Sequence, residues 1–111
     1  MIFRAEELPV EQRTGDRNGT LIRILSPELM HGKSRIFVRV LLKPGAKAPF
    51  HQHEGEFEVY YILSGIGQVN DNGIVSNVKA GDVMFTDDGQ SHSIENTGET
   101  DLEYIAVITL V

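Results

Sequence analysis

The chain has 111 residues, with 10 Lys and Arg against 16 Asp and Glu, a formal net charge of -6 and no cysteine. This length suits one domain, and 41% hydrophobic residues supply an ordinary globular core, which excludes intrinsic disorder. An acidic chain without basic clusters repels a phosphate backbone, so no nucleic-acid partner is expected. No apolar run approaches the roughly 20 residues of a membrane helix, so no membrane partner is expected either. Without cysteine there are no disulfides, thiolate nucleophiles or Cys-ligated metals, and any metal must be held by His, carboxylate and water. The segment Met1-Ile2-Phe3-Arg4-Ala5-Glu6-Glu7 lacks the basic and long apolar regions of a signal peptide, and the expectation is a cytoplasmic protein.

In chain order, Ala5 to Leu8 has the composition of a single helical turn, and Thr14 to Thr20, with two Gly, reads as a surface loop. Ser26 before Pro27 predicts an N-capped turn of helix over Pro27 to Met30. After that the chain breaks into short β-rich segments punctuated by Gly, Pro, Asn and Asp. The first is Arg35 to Leu42, stopped by Lys43-Pro44-Gly45. Phe57 to Leu63 follows, then Ile66 to Val69. The tetrapeptide Asn70-Asp71-Asn72-Gly73 predicts a hairpin loop, from which Ile74 to Val78 returns. Val83 to Thr86, His92 to Asn96 and Leu102 to Val111 complete the set. Eight or more strands at this spacing must close up, because open edges aggregate. The predicted fold is all-β: one domain over residues 1–111, a small β-barrel or jelly roll.

Three of the four histidines form a pattern with one carboxylate. His51 and His53, at i and i+2, lie on one face of a strand. Glu54-Gly55 allows a turn, and Glu58, early on the returning strand, can face both imidazoles. His92 opens a later strand after a Gly turn. Three neutral imidazoles and a carboxylate converging in a barrel make the protein half of an octahedral metal site, with up to two positions left for water or substrate. His31 lies outside this pattern and reads as a surface residue.

The spacing Gly45-x5-His51-x-His53-x4-Glu58-x6-Gly65 resembles the first cupin motif at every defining position. Gly81-x7-Gly89-x2-His92-x3-Asn96 resembles the second, with Asp87 where the motif usually has Pro. The resemblance implies a cupin-type jelly-roll barrel in which His51, His53, Glu58 and His92 bind one divalent transition metal. Mn, Fe or Ni are favoured, and Zn, Co or Cu also occur in the family. It leaves the reaction open, since cupins include enzymes of many classes, storage proteins and sensor domains.

Strand parity extends the site. If Glu58 points inward, so do Tyr60 and Ile62; Tyr60 is then either a core aromatic with its hydroxyl at the rim or, with Glu56, a candidate for a catalytic or substrate hydrogen bond. Ile94 and Asn96 share the face of His92; Ile94 is expected in the pocket and Asn96 at a turn. Arg39, mid-strand, either points outward or anchors an anion in the cavity. Lys33 and Arg35 read as solvated charges, and Glu56 shares the parity of Glu58. Oxalate decarboxylase-type cupins carry an Arg three residues before the first ligand His; that position is Ala48, which disfavours oxalate decarboxylation. The expectation is a small metalloenzyme, of dioxygenase, isomerase or decarboxylase class, acting on a small oxygen-rich acid or sugar-acid ligand. The alternative is a non-catalytic, metal-dependent small-ligand binding or sensing module. The apolar ends, Met1-Ile2-Phe3 and Thr109-Leu110-Val111, read as open strand edges that would pair in a homodimer.

Overall fold

The computed structural model describes residues 1–111. Its ten strands are β1 (Val10–Arg13), β2 (Gly19–Arg23), β3 (Ser34–Leu42), β4 (Lys47–Gln52), β5 (Glu56–Ser64), β6 (Ile66–Asp71), β7 (Ile74–Lys79), β8 (Val83–Thr86), β9 (Ser91–Asn96) and β10 (Leu102–Leu110). They form a six-stranded sheet in the order β1-β2-β3-β10-β5-β8 and a four-stranded sheet in the order β4-β9-β6-β7. All pairings are antiparallel. The two sheets face each other as a jelly-roll barrel, the all-β architecture that the strand spacing predicts. No helix is long and apolar enough to cross a membrane.

The alternation of β10 shows how the sequence makes the wall. Leu102, Tyr104, Ala106 and Ile108 are buried, while the residues between them are half-buried. That is the period of a pleated strand with one face in a core. Val38, Val40 and Leu42 of β3 and Tyr60 and Ile62 of β5 pack from the neighbouring strands, and Ile94 and Val69 come from the other sheet. Between β6 and β7, Asn72 and Gly73 both take positive φ, 51° and 100°. This is the two-residue hairpin geometry that matches strand twist. Gly65, at φ 86°, sits where a Cβ would lie 2.5 Å from the Asp101 carbonyl oxygen, so only glycine fits between β5 and β10.

Two strands escape the sequence pattern for identifiable reasons, and a third, β4, is anticipated only at its His51 end. β1 is an exposed edge strand with one apolar residue, Val10. β2 begins inside the predicted Thr14–Thr20 loop, which instead holds a 3-10 turn at Gly15–Arg17 and the start of a strand at Gly19. β4 contains Pro49, which a sheet tolerates only at an edge, and β4 is an edge of the four-stranded sheet. The terminal strand edges expected to pair in a dimer are also absent. Met1 to Phe3 belong to no strand, and β10 lies between β3 and β5 in the sheet interior.

Candidate metal centre

Two sheets supply the centre. His51 is on β4 and sits directly opposite His92 on β9, and His53 follows the end of β4. Glu58, on β5, faces them from the six-stranded sheet. Their ligand atoms, one from each residue, lie within 4.8 Å of one another and can hold a metal ion. His53 Nε2 is 3.1 Å from His51 Nε2 and 3.0 Å from His92 Nε2. Glu58 Oε1 is 3.0 Å from His53 Nε2 and 2.9 Å from His92 Nε2. The three ring centroids are mutually 4.8 Å apart, so the imidazoles surround one point like the corners of a triangle.

The outer nitrogens show why this cluster suits a cation. His51 Nδ1 donates to the Pro49 carbonyl at 2.6 Å, and His53 Nδ1 to Glu56 Oε2 at 2.6 Å. A carbonyl and a carboxylate only accept, so the proton of each ring is on Nδ1 and the Nε2 lone pair points inward. His92 Nδ1 lies 2.7 Å from Thr86 Oγ1, a hydroxyl able to accept in the same way. Burial also lowers the His51 pKa, keeping it neutral. Three inward lone pairs and a carboxylate oxygen about a common centre repel one another unless something positive lies between them. Outer-shell partners of this type hold metal-ligating histidines in place. The donor set therefore fits a divalent metal.

Glu56 is in turn clamped by Arg35, whose Nε and Nη2 donate to its two carboxylate oxygens at 2.7 and 2.8 Å. The Arg35 guanidinium, with His53 adding to it, holds the Glu56 carboxyl at about 2. Arg35, on β3, is thus exposed, as its neighbours in sequence suggest, and at the same time tied to the centre through Glu56. The Asp87 turn is also well held in the absence of Pro. Asp88 N donates to Asp87 Oδ1 at 2.8 Å, Asp87 N to Gln90 Oε1 at 3.1 Å, and Gly55 N to Asp88 Oδ1 at 2.6 Å. These bonds, with Gly89 N to the His53 carbonyl at 2.7 Å, lock the turn before His92 onto the chain after His53.

The remaining expected pocket residues separate into three groups. Tyr60 faces the centre: its ring stacks on His92 at 5.0 Å, and its hydroxyl is 3.5 Å from His92 Nε2. Ile62 and Ile94 are buried in the core and do not line the cavity beside Glu58. Each stands two residues beyond a ligand-side residue, about 7 Å farther along its strand. Arg39 does not enter the pocket. It is exposed between the inward Val38 and Val40 and pairs with Glu103 on the outer face. Asn96 is buried at a turn, donating to the Leu42 and Thr100 carbonyls, both at 2.8 Å, and accepting from Gly98 N at 2.9 Å.

Beside Glu58 and Tyr60 the barrel keeps a cavity of about 60 Å³, lined also by Arg13, Arg17, Val38 and Tyr104. Burial raises the pKa of both Tyr60 and Tyr104, so both hydroxyls stay protonated. Of these, sequence parity on β10 could have found Tyr104; nothing in the β1–β2 segment pointed to Arg13 or Arg17. A larger groove, of about 490 Å³, lies between Phe3–Pro9, Ile24–Leu29 and the start of β3. Its arginines, Arg23 and Arg35, are already paired with Glu11 and Glu56, and it contains none of the four ligands.

A two-sheet jelly roll with a His3Glu cluster inside defines a class of small metal-site barrels. The cupin-domain family model matches residues 38–108, and the chain belongs to the cupin family. It is 51% identical, over all of its length and 95% of the relative, to an oxalate-binding protein of Thermotoga maritima. A Thermotoga maritima crystal structure described as a predicted oxalate decarboxylase superposes with a TM-score of 0.91 at 51% identity, covering both chains fully. A mutant of Bacillus subtilis oxalate decarboxylase gives a TM-score of 0.77 at 26% identity, over 97% of this chain and 29% of that one.

Proposed function

We propose that this chain is a metal-dependent receptor for a small dicarboxylate of the oxalate class. The observation that carries it is the cluster of three imidazole Nε2 atoms and Glu58 Oε1, of which Glu58 itself also lines a neighbouring cavity of only about 60 Å³. About 10–15 Å³ holds one water, so the cavity suits a ligand of a few non-hydrogen atoms. The Thermotoga relative, described as oxalate-binding, supports the same ligand class.

His51, His53, His92 and Glu58 would hold the metal, which when bound offers a Lewis-acidic position for carboxylate oxygens. A set of three imidazoles and one carboxylate, with no thiolate, would suit Mn, Fe or Ni better than a structural zinc site.

Binding without turnover is favoured by what surrounds the ligand. Decarboxylating oxalate to formate requires a proton donor for the carbon that loses CO2. Tyr60 and Tyr104 are poor acids here, because burial raises both pKa values. Glu56 is an ionised carboxylate tied to Arg35 and His53. The test is calorimetric titration of the Mn-loaded chain with oxalate, alongside an assay for formate and CO2. One equivalent bound with no formate supports the receptor. Formate at a steady rate would make the protein an enzyme, and no heat with any small dicarboxylate would overturn the ligand class.

We further propose a homodimer, formed through the outer face of the six-stranded sheet. Phe37, Val107, Val59 and Phe85 lie in one register across β3, β10, β5 and β8. Tyr61, Val83 and Phe85 are 49%, 65% and 48% exposed on this face. Contiguous apolar surface of this kind marks association sites. Light scattering showing a dimer that Phe85→Glu dissociates supports the proposal; a monomer at micromolar concentration overturns it.

A further inference from the structure

Arg13 Nε is buried without a hydrogen-bond partner, the one such side-chain atom in the molecule. The other strand arginines are all satisfied: Arg23, Arg35 and Arg39 each pair with a carboxylate. A buried N–H without a partner is costly, and a native structure that retains one on a half-buried arginine points to a ligand or ion that completes it. Partial desolvation also lowers the pKa of Arg13.

Its position says what the missing partner is. Arg13 ends β1, and Arg17 ends the 3-10 turn that follows, so one hairpin carries both. This turn reaches the four-stranded sheet at β4, the strand of His51. Both arginines line the cavity beside Glu58, Tyr60 and Tyr104. Two guanidinium groups against one carboxylate, Glu58, leave the cavity net positive before any ion binds. A divalent metal at the ligand cluster would increase that excess. The tyrosine hydroxyls add neutral donors on the same wall.

We infer that Arg13, with Arg17 at the rim, is the anion anchor that sets the preference of this site for a dianion. One carboxylate of the ligand lies toward the metal ligands, and the other accepts hydrogen bonds from Arg13 Nε and the Arg17 guanidinium. Guanidinium matches a carboxylate in planar, paired hydrogen bonds. The two ends of the cavity thus select for two carboxylates on a very short carbon skeleton. The assignment rests on the ligand class proposed above and adds the residues that enforce it.

The test compares wild type, Arg13→Gln and Arg17→Gln, each the full chain loaded with Mn, titrated by calorimetry with oxalate and with acetate. Arg17 is exposed, so Arg17→Gln tests the anchor even if Arg13→Gln folds poorly. Metal content by mass spectrometry is the control, since neither residue is a ligand. The expected result is an unchanged metal content, with oxalate affinity weakened about 10- to 100-fold in Arg13→Gln and about 10-fold in Arg17→Gln. Acetate binding, lacking the second carboxylate, should change little. Wild-type affinity for oxalate in both variants overturns the anchor alone. No oxalate binding by metal-loaded wild type overturns the ligand class, and the anchor with it.

Discussion

Glu56 Oε2 accepts a 2.6 Å hydrogen bond from Nδ1 of His53, while both Glu56 oxygens are held by Arg35. A candidate ligand imidazole just past the end of β4 is thereby fixed by a carboxylate on β5 and a guanidinium on β3. The chain Arg35–Glu56–His53 sets the tautomer and the direction of the His53 Nε2 lone pair. Restraint of this sort raises ligand basicity and lowers the reorganisation needed to bind metal.

Glu56→Gln should therefore weaken metal binding about 10- to 100-fold without removing a ligand. Competition with a chelator of known affinity measures the change. An unaltered affinity would mean that His53 is oriented by packing alone.

The same carboxylate makes stability depend on pH. Its folded pKa, about 2, lies below the ordinary value of 4.5, so the unfolded chain binds its proton first as pH falls. The contribution of Glu56 is complete above about 4.5 and is lost as pH drops toward 2. In urea melts of metal-free protein at pH 6 and pH 3, wild type should lose more stability than Glu56→Gln does. Parallel losses in the two proteins would contradict the assignment.

Removing a ligand should remove the metal. His92 is fully buried and His53 nearly so, so His53→Ala and His92→Ala are expected to bind well under one tenth of an equivalent by mass spectrometry, against about one in wild type. Since only the folded chain presents the four ligands together, chelation should lower the melting temperature of wild type and leave both variants unmoved. A melting temperature indifferent to chelator would speak against a preformed site.

Gly65→Ala tests the fold away from the metal. The new methyl would press on the Asp101 carbonyl at a positive φ, combining backbone strain with a clash. A loss of about 2–3 kcal/mol in denaturant melts is expected. Gly73→Ala, with open space around its Cβ position, should cost about 1 kcal/mol.

Much of this was legible in the one-dimensional pattern, for physical reasons. Strands with one face in the core must alternate, as Leu102 to Ile108 do, and turns at positive φ require glycine or asparagine, as at Asn72-Gly73. Metal ligation demands particular side chains at strand spacing, so His51, His53, Glu58 and His92 form a recognisable candidate set in the sequence. Where the inward faces lay on β5 and β9 was therefore readable as well.

Depth and partnership depend on long-range packing. Parity says that Ile62 and Ile94 point inward, not that they sit a step too deep to meet a ligand. Arg39 and Arg13 are both strand arginines, and neither sequence context says which one faces solvent. The fold puts Arg39 against Glu103 on the outer face and bends the weakly patterned β1–β2 hairpin over the barrel mouth, bringing Arg13 and Arg17 to the cavity. Edge strands such as β1 and β4 bury too little apolar surface to write a strong pattern, so their placement is settled by the sheets they complete. The barrel and its candidate ligand set follow from local pattern and spacing, whereas the long-range placement of the hairpin, and of β3 and β5 on either side of β10, brings Arg13, Arg17 and the Arg35–Glu56 pair around them.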